Sequence, residues 1–404
     1  MPSRRQVLAG VGSAGTAALA GCVGGDGADY SPGEDADADW PMPRFDPTNT
    51  AYSPDAKAPR ESVRERWTYE GGFATGPPAV ADGTVFLPTA EALVALDAAS
   101  GEEQWRFAPD GQPWTAPPVV HDGTAYVTGV TDSGVYAIDA SSGDAVWSVA
   151  DAGGARGGVH LLAGEYVSEP VVYAGGENGG LVRLDAATGE ETWRTDLFGS
   201  VSAFGYRLPQ LYVGTRGGEV YALVDSVDGA DEPDEAWRRK VGSAVRTVLP
   251  SGEGVLVHTF GDPLYCLQDG AHAGTTRWTV DQRRANSAPV AANYTFFAAG
   301  YGSLTAFRDY DSDTTWRLGG RFDATGPVAA GDTLYASSRD AVHAFALDGG
   351  SWGAFGHRFD AKRWSHPTPA GATEGLAVGD GAVFASCQGS EDSDVSLYCL
   401  EPAN

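Results

Sequence analysis

The sequence predicts an all-β fold, a single closed eight-bladed β-propeller of four-stranded antiparallel blades. Three observations predict it. Trp67, Trp105, Trp147, Trp193, Trp237, Trp278 and Trp316 recur at intervals of 38, 42, 46, 44, 41 and 38 residues, most of them just after a polar turn. A period of about 40–45 residues that holds several short strands is that of a propeller blade. An apolar strand pattern returns eight times, at residues 93–96, 135–138, 181–184, 220–223, 264–267, 304–307, 342–345 and 397–400. Finally, residues 64–69 carry an outer-strand pattern with no blade before it, whereas the eighth unit ends at Asn404 without a fourth strand.

The unit from Thr115 to Val149 shows the elements in order. Pro118-Val119-Val120 ends an inner strand, and Asp122-Gly123 is a tight-turn dipeptide. Tyr126-Val127-Thr128 alternates as a second strand and Val135-Tyr136-Ala137-Ile138 is a third. A polar turn over 139–143 follows, closed by a glycine that can adopt positive φ, and Trp147 marks the outermost strand. Each in-register indole is expected to bury about 150–250 Å² between blades. Phe359 is read as the seventh indole slot, and Trp114, Trp352 and Trp364, out of register, are expected to be exposed. Pairing of the 64–69 strand with the last blade would close the ring and leave no open sheet edge.

Residues 1–21 read as an export signal. Arg4 and Arg5 form a twin-arginine pair ahead of an Ala/Gly-rich apolar stretch too short to span a bilayer. The stretch ends at Leu19-Ala20-Gly21-Cys22, a lipobox-like sequence in which Cys22 becomes the lipidated first residue. Gly10-Val11-Gly12-Ser13-Ala14-Gly15 matches a dinucleotide fingerprint, but no strand precedes it and cleavage removes it. Residues 22–39 form an acidic, aperiodic tether, and 40–404 form the propeller. The expected location is the outer face of the cytoplasmic membrane, held by the lipid alone.

The formal charge is −27, or −29 once the signal is removed, and the only lysines are Lys57, Lys240 and Lys362. Such a surface repels itself in dilute buffer, and molar salt screens it by shortening the Debye length to about 3 Å. Acidic composition, scarce lysine and a twin-arginine lipobox together point to an extremely halophilic archaeal source. No basic face suited to nucleic acid is visible, and a monomer is expected. Cys266 and Cys399 occupy a slot that is alanine in most other blades. Buried thiols and a Cys387–Cys399 disulfide are both open for the last hairpin.

Other chemistry is sparse. Residues 309–313 mimic the start of a calcium loop, but Thr314 and Gly320 stand where glycine and glutamate are needed, so no metal site is expected. Asn293-Tyr294-Thr295 is a glycosylation sequon in an expected surface turn.

Pro78, Asp82-Gly83, Leu96-Asp97, Ser100-Gly101 and Trp105, with their equivalents in later units, resemble the pyrroloquinoline-quinone (PQQ)-type propeller repeat. The leader from Trp40 to Thr50 is similar to the segment before the first blade in such proteins. The resemblance covers the whole mature chain and is strongest in units one to three. It implies one of two roles: a quinoprotein dehydrogenase holding PQQ and Ca²⁺ over the ring axis to oxidise alcohols or sugars, or a non-enzymatic lipoprotein that uses the ring for docking. The chain has no adjacent cysteines to form the vicinal disulfide of the alcohol dehydrogenases and no CxxCH haem motif. The leading expectation is therefore a lipid-anchored binding or scaffold protein without cofactor. PQQ with Ca²⁺ belongs to the alternative, and a structural envelope component is a third reading.

Strand alternation gathers the Asp-Gly and Asp-to-Gly turns on one carboxylate-rich rim. The loops from each outer strand to the next inner strand then form the opposite mouth. That mouth is expected to hold Phe73, Trp114, Arg156, Arg246, Arg284, Arg321 and Arg363, with Asn286 and His366 close by. In so acidic a chain, arginines and aromatics around one opening mark a face for an anionic small ligand or an envelope or extracellular protein. Local pairing of these arginines with acidic neighbours is the competing reading.

Overall fold

The computed structural model describes residues 39–108, 116–129, 134–152, 157–164, 167–225, 232–252, 254–389 and 393–403. Arg4, Arg5, Cys22, Trp114 and Arg156 lie outside the described residues. Eight antiparallel sheets follow one another along the chain as the blades of a propeller. The first is built from Ala79–Ala81, Thr84–Pro88, Leu93–Asp97 and Glu103–Phe107. The eighth contains Gly375–Gly379, Ala382–Ser386 and Leu397–Pro402, and Val63–Tyr69 supplies its outermost strand from the other end of the chain. That pairing is antiparallel, with Trp67 opposite Cys399, and it closes the ring as expected.

The repeat has a structural cause at each of its fixed positions. Eight tryptophans sit opposite the third residue of the recurrent strand pattern: Ala95, Ala137, Arg183, Ala222, Cys266, Ala306, Ala344 and Cys399. In every blade the ladder slips by one residue beside the tryptophan. Such a bulge bends and twists the outer strand. The indole then reaches the following blade. Trp67 Nε1 donates to the Ala98 carbonyl at 3.0 Å, Trp105 to Ala140 at 2.9 Å and Trp147 to Ala186 at 3.0 Å. Where the turn differs, a carboxylate accepts instead: Trp193 donates to Asp225 at 3.2 Å and Trp237 to Asp269 at 3.3 Å. Gly101 shows why the turn ends in glycine. Its φ is +75°, and a Cβ there would lie 2.6 Å from the Trp67 ring.

The eighth indole is Trp364, which corrects two expectations. Trp364 is buried on the outer strand Lys362–Pro367 and donates to the Pro59 carbonyl at 2.8 Å. Phe359 is exposed. The slot was displaced because blade seven carries an inserted hairpin, Gly353–Ala354 with His357–Arg358, which adds two strands beside the outer strand of blade six. Trp352 on that insertion is exposed, as expected, and packs on Phe359 at 4.9 Å. Cys266, Cys387 and Cys399 are buried and none is in a disulfide, so the Cys387–Cys399 disulfide does not form. Cys399 pairs with Phe384, three residues short of Cys387 along that strand. Burial pushes the thiols of Cys387 and Cys399 up to about 12.

The leader is more than a lead-in. Trp40 bonds Val80 of blade one in both directions, and the Val120 amide of blade two donates to Pro41. Tyr206 of blade four donates to Pro47, Ala291 of blade six to Thr50 and Ala329 of blade seven to Ala51. Tyr52–Ser53 finally runs parallel to Val328–Ala330. The segment thus touches the innermost strands of successive blades and crosses the ring axis, at the end where those strands finish.

Candidate functional site

Inner strands begin at the end opposite the carboxylate turns, and that end of the axis is hollow. Three adjoining cavities of about 750, 600 and 180 Å³ share one lining residue, Arg246. Arg246 is the second residue of the inner strand Val245–Ser251 of blade five. Across the axis in the largest cavity stand Phe73, ahead of blade one, and Glu374 and Gln388 of blade eight. The second cavity adds Phe260, Asn286, Tyr301 and Asp323. The smallest is lined by Met42, Pro43, Arg44 and Asn49 of the leader, facing His160 and Thr247. The leader therefore floors the hollow at its far end.

Arg246 is exposed, and its guanidinium lies 5.1 Å from the centre of the Phe260 ring. Among the described residues it makes no ion pair. A guanidinium held over an aromatic face keeps its charge and its hydrogen-bond donors available. Glu374 is half-buried. Burial pushes its carboxyl above the usual range, against a 3.3 Å hydrogen bond from the Thr373 hydroxyl. Burial lowers His160 and His258 to about 4, so both are neutral near pH 7. His258 Nε2 lies 2.9 Å from the Asn286 carbonyl, and the His160 ring stacks on Phe204. Burial also lowers Arg44 to about 10; its Nε donates to the Asn49 carbonyl at 3.2 Å.

The structure brings together three of the expected mouth residues: Phe73, Arg246 and Asn286. It places the other described ones, Arg284, Arg321, Arg363 and His366, elsewhere. Arg284 lies over Phe307, 4.8 Å from the ring centre, and donates to the Thr314 hydroxyl. Arg321 is exposed beside Asp323, 3.9 Å away. Arg363 is on the carboxylate rim, where it grips Asp332. Its expected position followed from reading Phe359 as the indole slot and moves with that correction. His366 sits near the end of the same outer strand opposite Val342, and burial lowers its pKa. Asn293 is exposed in the first turn of blade six with φ +50°.

Sequence reasoning missed Phe260 and Tyr301. An antiparallel blade sends two loops to the mouth: outer-to-inner, and second-to-third strand. Phe260-Gly261 and Tyr301-Gly302 are in the latter. An exposed aromatic next to glycine at that position was the available signal. Glu374 carried none, because its importance comes from facing Arg246 across the ring. Among the described residues no group of three or more His, Cys, Asp or Glu is placed to hold a metal ion.

Comparison with known proteins agrees with this architecture. The chain is 33% identical over 145 residues to a quinohemoprotein alcohol dehydrogenase of Comamonas testosteroni, a match that spans 30% of this chain and only 19% of that relative. The crystal structure of a quinohemoprotein alcohol dehydrogenase from the same organism superposes with a TM-score of 0.65 at 14% identity, over 92% of this chain and 82% of that one. BamB from Moraxella catarrhalis superposes with a TM-score of 0.59 at 14% identity, over 85% of this chain and 98% of its own. At such identities the structural likenesses speak for the fold alone. The family model described as outer membrane protein assembly factor BamB matches residues 55–200, 155–231 and 177–403, and the chain belongs to that family of PQQ-type propeller repeat proteins.

Proposed function

We propose that this protein is a lipid-anchored extracellular propeller that holds a protein or small ligand at the Arg246 mouth, through an anionic group, without turning it over. The observation that carries the reading is the Arg246 guanidinium, exposed and free of ion pairs among the described residues, at the junction of three axial cavities. Among the described residues ten other arginines of this acidic chain stand within 4.0 Å of a carboxylate. A guanidinium left without one, among exposed aromatic rings, has the chemistry of an interface anchor.

The quinone-dependent dehydrogenase remains the alternative, supported by the quinohemoprotein relative. The described residues are a poor match to its cofactor. PQQ carries several carboxylates, and in the basin they would meet Arg246 together with the carboxylates of Glu374 and Asp323. The cysteines of blade eight are packed in its core and are not adjacent. Reconstitution in molar salt with PQQ and Ca²⁺ separates the readings. Dye reduction by alcohols or sugars would establish the dehydrogenase. For the binding reading, Arg246→Gln should abolish capture of the native partner from membranes. Anchoring has its own test: Cys22→Ser should release the protein from membranes, and lysine at both Arg4 and Arg5 should leave precursor in the cytoplasm.

A further inference from the structure

We infer that the axial mouth takes a zwitterion of the amino-acid or short-peptide class, its carboxylate on Arg246 and its ammonium on Glu374. This rests on the proposed binding role of the mouth and adds the second charge. Arg246 and Glu374 line the same two cavities from opposite sides of the ring, blade five and blade eight. They do not pair: among the described residues neither makes an ion pair, and the hydrogen bond found for the Glu374 carboxylate is the 3.3 Å contact from Thr373. Two opposite charges facing one hollow without neutralising each other are complementary to a molecule that carries both, held apart.

Desolvation favours the same ligand. A half-buried carboxylate without a counter-charge is costly, and burial raises the Glu374 carboxyl accordingly. A ligand ammonium would supply the missing charge. The ligand carboxylate would likewise offset the cost of removing Arg246 from water. Between and around the two charges stand Phe73, Phe260 and Tyr301, which are 64%, 66% and 55% exposed. Exposed rings of this size favour an apolar or aromatic ligand body, which stacks on them and shields the charges from water. The largest cavity, about 750 Å³, has room for several residues.

The probe is phenylalanyl-phenylalanine, titrated calorimetrically into the mature protein at molar salt in three forms: free termini, C-terminal amide and N-acetyl. The free dipeptide should bind, and loss of either charge should weaken binding by about tenfold, the scale of one charge-assisted hydrogen bond. Glu374→Gln should erase the penalty for the N-acetyl form and keep the penalty for the amide. Arg246→Gln should do the reverse. The comparison among the three forms is made within each protein, so it does not depend on equal stability of the variants. If the N-acetyl form binds wild type as tightly as the free dipeptide while the amide is weak, the anion-binding mouth stands and the zwitterion proposal falls. If no form binds at millimolar concentration, the zwitterion proposal falls. The anion-binding reading then rests on its own test with membrane capture.

Discussion

Arg363 grips Asp332 with both terminal nitrogens, each 2.8 Å from a carboxylate oxygen, and Arg60 approaches the same carboxylate from the leader at 2.8 Å. Arg363 is the residue bulged out of the ladder beside Trp364, and Arg66, bulged beside Trp67, reaches Asp380 with one terminal nitrogen on the carboxylate at 2.6 Å and the other on the backbone carbonyl at 3.2 Å. Bulge and first turn are thus clamped in blade seven and in blade eight, the blade within which the ring closes. Burial raises the Asp332 carboxyl, but Arg363 and Arg60 outweigh it and hold it well below the carboxylate range. Arg363→Gln should lower the unfolding free energy by about 1–2 kcal/mol, the lower part of the scale for charged hydrogen bonds because Asp332 is partly exposed. Because the folded pKa is depressed, the clamp contributes fully above the unfolded value of about 3.9 and is lost as pH falls through the folded one. Denaturant midpoints of wild type and variant should therefore converge in strong acid.

Trp364→Ala should cost about 3–5 kcal/mol, since it empties a buried site between blades and removes one of two hydrogen bonds to the Pro59 carbonyl, the other coming from Tyr335. Phe359→Ala should stay within about 0.5 kcal/mol, as expected for an exposed side chain. Equilibrium unfolding of the two variants decides which residue is the seventh-blade indole in energetic terms.

Gly101→Ala and Gly83→Ala separate backbone strain from collision. Both residues have φ above +70°, but a Cβ on Gly83 meets nothing within 4 Å, whereas one on Gly101 would strike the Trp67 ring. Gly83→Ala should cost about 1–2 kcal/mol from the left-handed backbone. Gly101→Ala should cost about 1–3 kcal/mol more, because the indole must move. Equal losses on thermal unfolding would mean that the indole contact adds nothing.

How much was legible follows from where each signal resides. Trp67, Ala98 and Gly101 belong to one repeated contact, so their spacing betrays both the blade and its closure. Trp364 was misread because the 353–358 hairpin changed the interval, and an interval carries no information on which side of an insertion the indole falls. Phe73 and Arg246 were legible from loop position and charge. Glu374, Phe260 and Tyr301 were not, because their meaning lies in facing Arg246 over a distance the sequence does not encode. The leader was recognised as a lead-in, yet its path across the axis depends on hydrogen bonds to blades one, two, four, six and seven, and to the Val248 carbonyl of blade five from Asn49.

Stability should decline as pH falls from about 6.5 to about 4. Burial lowers His160, His258 and His343 from 6.5 to about 4, so the unfolded chain binds more protons throughout that window. Their contribution is complete above pH 6.5 and is lost as pH drops through 4. His160→Gln should flatten this slope in urea melts at fixed salt. An unchanged slope would mean that His160 already titrates normally in the fold.

Arg246 is a ligand group and Arg363 a structural one, and the two roles are separable by experiment. The most direct measurement is the thermal midpoint in molar salt with and without 3-phenylpropionate, a carboxylate with one aromatic ring. Binding to the folded state alone raises the midpoint. Wild type and Arg363→Gln should both rise with ligand, the latter from a lower start, and Arg246→Gln should start near wild type and not respond. An equal rise in Arg246→Gln, or none in wild type, would contradict the assignment of the mouth.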